Sequence, residues 1–329
     1  MLKVDMARST IKAAVSIALL ACLLYLTDVH DMLSRLKVLS PAFVLFAWAY
    51  YAFCQGLSAY RWQLFLSVKD IRVPLKTLFN LYMIGMFLNN VIPGAVGGDV
   101  FKAYGLYQRT QRGDYAVTSV FLERFAGLVG LGAISIAALV FSFNRVHSPM
   151  VLAAVWGAAL FLVAVITVIW SSTVFRVMGG LVDRVLPKAA GEKVKALYEA
   201  MHSYKKHKQV LLAAFGISVV IQTLFAVYYS LTAQALGIGI SVYYFLLFLP
   251  IVALVSMLPI SIGGLGVREA AMVALFSQVG VASADVLSIS LTVFVVNGVL
   301  SLWGAAMLLA ARPSAGLRKK VDQAKDKRA

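Results

Sequence analysis

Charge is what this 329-residue chain has least of. Asp, Glu, Lys and Arg make up 13% of it and apolar residues 61%, where soluble domains run near a quarter charged and half apolar. Mean hydropathy is +0.86, and several runs approach or exceed the roughly eighteen apolar residues that read as bilayer-spanning. A soluble fold is excluded. Cysteine is equally scarce: Cys22 and Cys54 both lie inside apolar runs, so no disulfide framework is expected. His30, His147, His202 and His207 are scattered between runs, with no HExxH or paired metal-ligand spacing. No metal or other cofactor is expected. A P-loop pattern is lacking, which argues against direct ATP drive. No A-x-A cleavage pattern follows the first apolar run, 11–27, so it reads as a retained helix rather than a signal peptide.

The 14 acidic residues are outnumbered by 30 Lys and Arg, for a net charge of +16. Nucleic acid is not the implied partner, because no RNA-binding signature or basic helix with interleaved aromatics is present. The cations instead collect in short segments between apolar runs, as cytoplasmic loops do. Six segments look like full spans: 11–27, 41–66, 114–141, 149–170, 209–236 and 283–311. Two more apolar regions, 75–108 and 241–281, are interrupted by glycine and proline. If both re-enter the membrane rather than cross it, 25 of the 30 Lys and Arg fall on the side of the N-terminus, Arg61 among them. If the first crosses, the cations at 102–113 and those at 176–208 land on opposite sides. Re-entry is therefore the expectation, with both termini cytoplasmic. Such a break at membrane depth is tolerated only where protein or a water-filled cavity covers it. Segment 174–208 has Val194, Leu197, Tyr198 and Met201 at helical spacing and reads as an amphipathic stretch at the cytoplasmic surface.

The two interruptions share a pattern. Pro93, Gly97, Gly98 and Lys102 in "NNVIPGAVGGDVFKAYG" have the spacing P-x3-GG-x3-[K/R]. Pro259, Gly263, Gly264 and Arg268 in "LPISIGGLGVREAA" repeat it 166 residues later, with Gly266 a further glycine in the second copy. Three expected spans separate the copies, centred on 89–108 and 255–275, so the second hairpin enters from the opposite face. That is an inverted-topology repeat, an arrangement that places substrate sites near mid-membrane where broken helices meet. Proline removes a donor, glycine lets the backbone turn, and a half-helix starting at the glycine pair offers free N–H groups suited to phosphate.

Ionisable residues accompany both breaks: Asp99 and Lys102 at the first, Arg268 and Glu269 at the second, with Glu123 and Arg124 inside the third span. Each costs about 2.5–3.5 kcal/mol at bilayer depth unless paired or hydrated. One reading is structural, with Asp99 pairing with Lys102 or Arg124 and Glu269 with Arg268. The other is a headgroup site, in which Lys and Arg meet phosphate and the carboxylates act as counter-charges.

At these residues the sequence resembles the flippase-like family of bacterial and archaeal membrane proteins that includes the membrane domain of lysylphosphatidylglycerol synthases. The resemblance rests on the two glycine motifs, "ERFAGLVGL" and "AYRWQLFL", and spans about residues 50 to 300. The family usually has Arg at the position of Lys102, and Lys keeps the charge without the bidentate fork. The resemblance implies movement of a lipid or lipid-linked headgroup between leaflets of a bacterial or archaeal plasma membrane. The substrates it implies are an anionic phospholipid, glycolipid, hopanoid-type or polyprenyl-phosphate-linked lipid. Only a basic tail, 313–329, follows the 1–312 transmembrane domain, so lysyl transfer is not expected.

The fold expectation is thus an all-α polytopic membrane protein of eight apolar segments, six spans and two re-entrant hairpins. A translocator is the leading functional expectation, with substrate-binding residues Asp99, Lys102, Glu123, Arg124, Arg268 and Glu269. The alternatives are a scaffold that docks lipid or glycan biosynthetic enzymes through 174–208, an ion or solute transporter, and an intramembrane lipid-modifying enzyme. The last lacks a His, a metal-binding acidic cluster or an activated nucleophile near either motif.

Overall fold

A computed structural model describes residues 39–91, 97–142, 202–257 and 264–310, with Lys37 and isolated positions between 153 and 199. Regular structure among them is helical. Helix α1 (Pro41–Ser67) starts where the chain supplies a cap: the Ser40 hydroxyl accepts the Phe43 N–H at 3.1 Å, and Pro41 takes a position whose N–H would have no helical partner. Then follow α2 (Leu75–Val91), α3 (Gly97–Thr110) and α4 (Gly113–Ser142). The second half repeats the order after a short 3-10 turn at Tyr204–Lys206. It consists of α5 (Lys208–Ala235), α6 (Val242–Ser256), α7 (Val267–Ser277) and α8 (Ser283–Ala310). The lengths run 27, 17, 14 and 30 residues, then 28, 15, 11 and 28.

Length divides these helices by role. At 1.5 Å per residue, the four long ones exceed the roughly 30 Å hydrocarbon core, and each is apolar enough to cross it. They answer to the spans expected at 41–66, 114–141, 209–236 and 283–311. The four short helices reach only about 16–26 Å. The spans expected at 11–27 and 149–170, most of segment 174–208 and the tail 313–329 lie outside the described residues.

Each interrupted region is a pair of short helices lying side by side and antiparallel. In the first, Asn89 accepts the Gly98 N–H at 2.8 Å, Gly85 faces Gly98 and Lys102, and Leu81 faces Gly105. In the second, Phe245 and Phe248 each place their ring centroid 5.0 Å from that of Phe276, and Ser256 meets Gly264. The turn into α7 needs glycine, since Gly264 and Gly266 hold φ of 78° and 80°, a region costly for residues with a Cβ.

The helix contacts of one half have counterparts in the other. Helix α2 packs on α8 as α6 packs on α4, α1 packs on α2 as α5 on α6, and α3 packs on α4 as α7 on α8. The counterparts α1 and α5 also touch, and they run antiparallel. Tyr50 stacks on Tyr228, Tyr51 lies against Phe225, and further along Arg61 reaches Ser218. One end of the bundle gathers the ends of α1 and α3 and the starts of α2, α4 and α5. There Arg112 donates to the Lys69 carbonyl at 3.3 Å and Tyr204 to that of Phe65 at 3.1 Å. The first hairpin has its base at that end. The second, pairing α6 with α7, has its base at the other.

Close backbone approach holds α2 against α8. A Cβ on Gly304 would overlap the Met83 carbonyl, whereas one on Gly298, in the same helix, would meet nothing within 4 Å. Overpacking of this kind costs about 1–3 kcal/mol. Gly304→Ala is expected to lower the thermal midpoint of the detergent-solubilised protein by several degrees, and Gly298→Ala to leave it unchanged or slightly raised. Equal midpoints would contradict the packing of α2 on α8.

Candidate functional site

The start of α3 puts Asp99 in its first turn and Lys102 one turn on. Lys102 is 5% exposed. Its ammonium lies 2.9 Å from Asp99 Oδ1 and 3.4 Å from Glu123 Oε2, and 4.3 Å from the centroid of the Tyr82 ring. Glu123 is 3% exposed and also pairs with Arg61, itself 4% exposed. Arg61 Nη1 donates to Ser218 Oγ at 2.7 Å. Asp99 Oδ2 takes the Nε of Arg124 at 2.5 Å. A continuous polar chain thus runs from Ser218 in α5 through Arg61, Glu123, Lys102 and Asp99 to Arg124. It contains three cations and two carboxylates, an excess of one positive charge.

This chain borders a cavity of about 340 Å³. Arg61, Lys102, Glu123 and Arg124 line it, with the uncharged polar groups of Gln55, Asn89, Asn90 and Gln222. Its chemistry suits an anion with hydrogen-bonding substituents.

The second break is built differently. Glu269 is fully buried, and its carboxylate accepts from Arg268 Nε at 2.9 Å, Arg268 Nη2 at 2.5 Å, Ser290 Oγ at 2.9 Å and the Gly266 N–H at 2.7 Å. The Arg268 guanidinium lies 5.3 Å from the Phe294 ring centroid. Arg268 borders a second cavity, of about 260 Å³, whose other polar contributors include Gln222, Ser256 and Asn297. The two cavities share one wall, made of Tyr51, Leu131, Gln222 and Phe225.

The sequence-predicted residues therefore fall into two groups. Asp99, Lys102, Glu123 and Arg124 converge in one network, while Arg268 and Glu269 form a separate pair. Gly97 and Gly98 start α3, and Gly264 and Gly266 form the turn into α7. Pro93, Pro259 and Gly263 lie outside the described residues. The expectation of free N–H groups at the breaks needs correction at two positions. The Gly98 N–H is taken by Asn89 and the Gly266 N–H by Glu269, because a buried donor at a helix start demands an acceptor from its own chain. Among the described residues no group of three or more His, Cys, Asp or Glu gathers at one point.

The family model for the lysylphosphatidylglycerol synthase TM region matches residues 9–304. The chain belongs to this family. It is also similar to two archaeal proteins described as UPF0104 membrane proteins. That of Methanothermobacter thermautotrophicus is 26% identical over 333 residues, covering 94% of this chain and 96% of the relative. That of Pyrococcus horikoshii is 23% identical over 317 residues, covering 89% and 93%. The chain is thus an integral membrane protein of the synthase TM-region family.

Arg61 is a member of the site that sequence reasoning does not include. Its place in the sequence groups it with the cations of the basic end, yet α1 carries it into the bundle, where it donates to Glu123 and Ser218. The available signal was a cation enclosed by apolar residues in "AYRWQLFL". Gln55 and Gln222, which face the cavity, gave none.

Removing one partner from a buried ion pair costs about 3–5 kcal/mol, whereas replacing the whole set with apolar residues is often neutral. Glu123→Gln is expected to lower the thermal midpoint sharply, because Arg61 loses the carboxylate it pairs with and Lys102 loses one of its two. The triple variant Arg61→Met/Lys102→Met/Glu123→Leu is expected to recover part of that loss. A simple sum of the single-substitution effects would contradict the shared carboxylate.

Proposed function

We propose that the protein is a lipid translocator. It carries an anionic headgroup between leaflets through the two cavities at the paired helix breaks, while the apolar chains stay in the bilayer. The observation that carries this reading is the pair of adjoining cavities, each bordered by a cation from a helix that starts at a break (the buried Lys102 and the half-buried Arg268), divided by a single wall of four residues. An excess positive charge inside a bundle of spanning helices is costly to keep and is offset when an anion occupies it. No chemical transformation is part of the proposal.

In this reading α2–α3 and α6–α7 are re-entrant hairpins, and the two halves form an inverted-topology repeat. Support comes from the mirrored helix contacts, from the antiparallel counterparts α1 and α5, and from hairpins whose bases lie at opposite ends. None of the four short helices is long enough to span the hydrocarbon core. The basic end, with Lys69, Arg72, Lys76, Arg109, Arg112, Lys205, Lys206 and Lys208, faces the cytoplasm by the positive-inside rule. The C-terminal end of α8 lies there too, since α8 runs antiparallel to α2, with Gly304 on Met83 and Ser301 on Asn90. The archaeal relatives are consistent with a prokaryotic plasma membrane.

The test is leaflet exchange of a fluorescent anionic phospholipid in proteoliposomes. Wild type is expected to exchange it. A charge-assisted contact is worth about 1.5–3 kcal/mol, so Asp99→Ala and Arg268→Ala are each expected to slow exchange at least tenfold while the protein still elutes as one species. Unimpaired exchange in both variants would sink the proposal.

A further inference from the structure

Arg124 borders not only the polar cavity but also a groove on the outer side of α3 and α4, of about 490 Å³. Helix geometry explains the double role. At 3.6 residues per turn, Val117, Val120, Phe121 and Arg124 share one face of α4, and Glu123 and Gly127 line the inner cavity. Likewise Val100, Tyr104 and Tyr107 share one stripe of α3, while Lys102 and Leu106 point into the bundle. Val100, Tyr104, Tyr107, Val117, Val120 and Phe121 are among the residues lining the groove, with Asp99 and Arg124 at its head. Apart from these two its lining is hydrocarbon and aromatic ring, a surface for an apolar chain rather than a headgroup. The side chain of Arg124 is 35% exposed against 6% for that of Lys102, so it is the network cation that reaches outward.

We propose that the Asp99–Arg124 ion pair is a lateral gate, at which an amphiphile keeps its anionic headgroup in the polar cavity and lays one apolar chain in the α3–α4 groove. This rests on the reading that the cavity takes a headgroup. The occupant is argued from charge complementarity at the Arg124 end and from continuity of the groove with the cavity through that residue. A phosphate arriving at Arg124 replaces Asp99 as its partner, and Asp99 keeps Lys102, 2.9 Å away. The pair therefore opens by exchange of anions and leaves neither charge unpartnered.

The experiment is photolabelling of the full chain in nanodiscs with phosphatidylglycerol carrying a diazirine on one acyl chain. Phosphatidylcholine with the same chain serves as the comparison, and labelled positions are read by mass spectrometry. The exposed face of α5, with Leu212 and Val220, reports ordinary contact with bulk lipid. The anionic probe is expected to label the groove several-fold above that face and above the zwitterionic probe. Arg124→Ala is expected to abolish the preference. Val117→Trp, which fills the groove and leaves every charge in place, is expected to reduce labelling of Tyr104 and Tyr107. Groove labelling equal to that of the α5 face, equal for the two headgroups, or unchanged by both substitutions would overturn the gate. Charge-selective labelling supports the gate even where leaflet exchange is absent. Exchange without such labelling leaves translocation standing and removes this route.

Discussion

The Glu123 carboxylate receives two cations from two different helices, Arg61 from α1 and Lys102 from α3, and much of the first half of the molecule is arranged around it. Each of the five charges in the network would cost about 2.5–3.5 kcal/mol if left unpaired in the membrane. Together that is on the order of the entire stability of an ordinary domain. The pairing is therefore obligatory, and it constrains geometry. Helix α3 must begin deep enough to bring Lys102 to α4, which fixes where α2 must end. Asn89 then caps Gly98, so the break is stitched at the backbone as well as through side chains.

Although the described helices before and after residue 200 match in order and in contacts, their chemistry differs. In the first group, the charges lie on three helices and, Asp99–Lys102 apart, pair across interfaces, so those partners change if the helices shift. In the second, Arg268 and Glu269 are adjacent on α7, and the carboxylate is saturated by donors from Arg268, Gly266 and Ser290. That site needs no neighbour beyond α8. The first break is thus the adaptable one and the second the rigid one. This agrees with the character of the cavities: the first is edged by four charged residues, and the second by Arg268 alone.

Much of this was legible in the sequence because it rests on local rules. Four long apolar runs became spanning-length helices with ends within a residue or two of those expected, since bilayer thickness sets their length. The glycine motifs located the starts of α3 and α7, because the Gly85 backbone leaves no room for a Cβ at Gly98 and φ near 80° at Gly264 and Gly266 leaves little choice of residue. The pairs Asp99–Lys102 and Arg268–Glu269 were readable from spacing along one helix, and Asp99–Arg124 was among the pairings expected. What depends on tertiary packing was not readable. Arg61 and Glu123 are 62 residues apart, and nothing in either local segment indicates the other. The use of the Gly98 and Gly266 N–H groups by Asn89 and Glu269 was hidden for a different reason. A helix start looks like an anion site until a buried side chain of the same chain reaches it first.

An excess of one positive charge, rather than neutrality, follows from the task proposed for the cavity. A neutral network would already be satisfied, and an arriving phosphate would have to displace a carboxylate at full desolvation cost. With three cations and two carboxylates, a monoanion completes the balance instead of disturbing it. The same arithmetic limits how tightly it is held, because Asp99 competes with the anion for both Lys102 and Arg124. Release needs only that Asp99 re-form its pair with Arg124. A carrier must let go as well as bind, and the aspartate at the head of α3 supplies the competing anion.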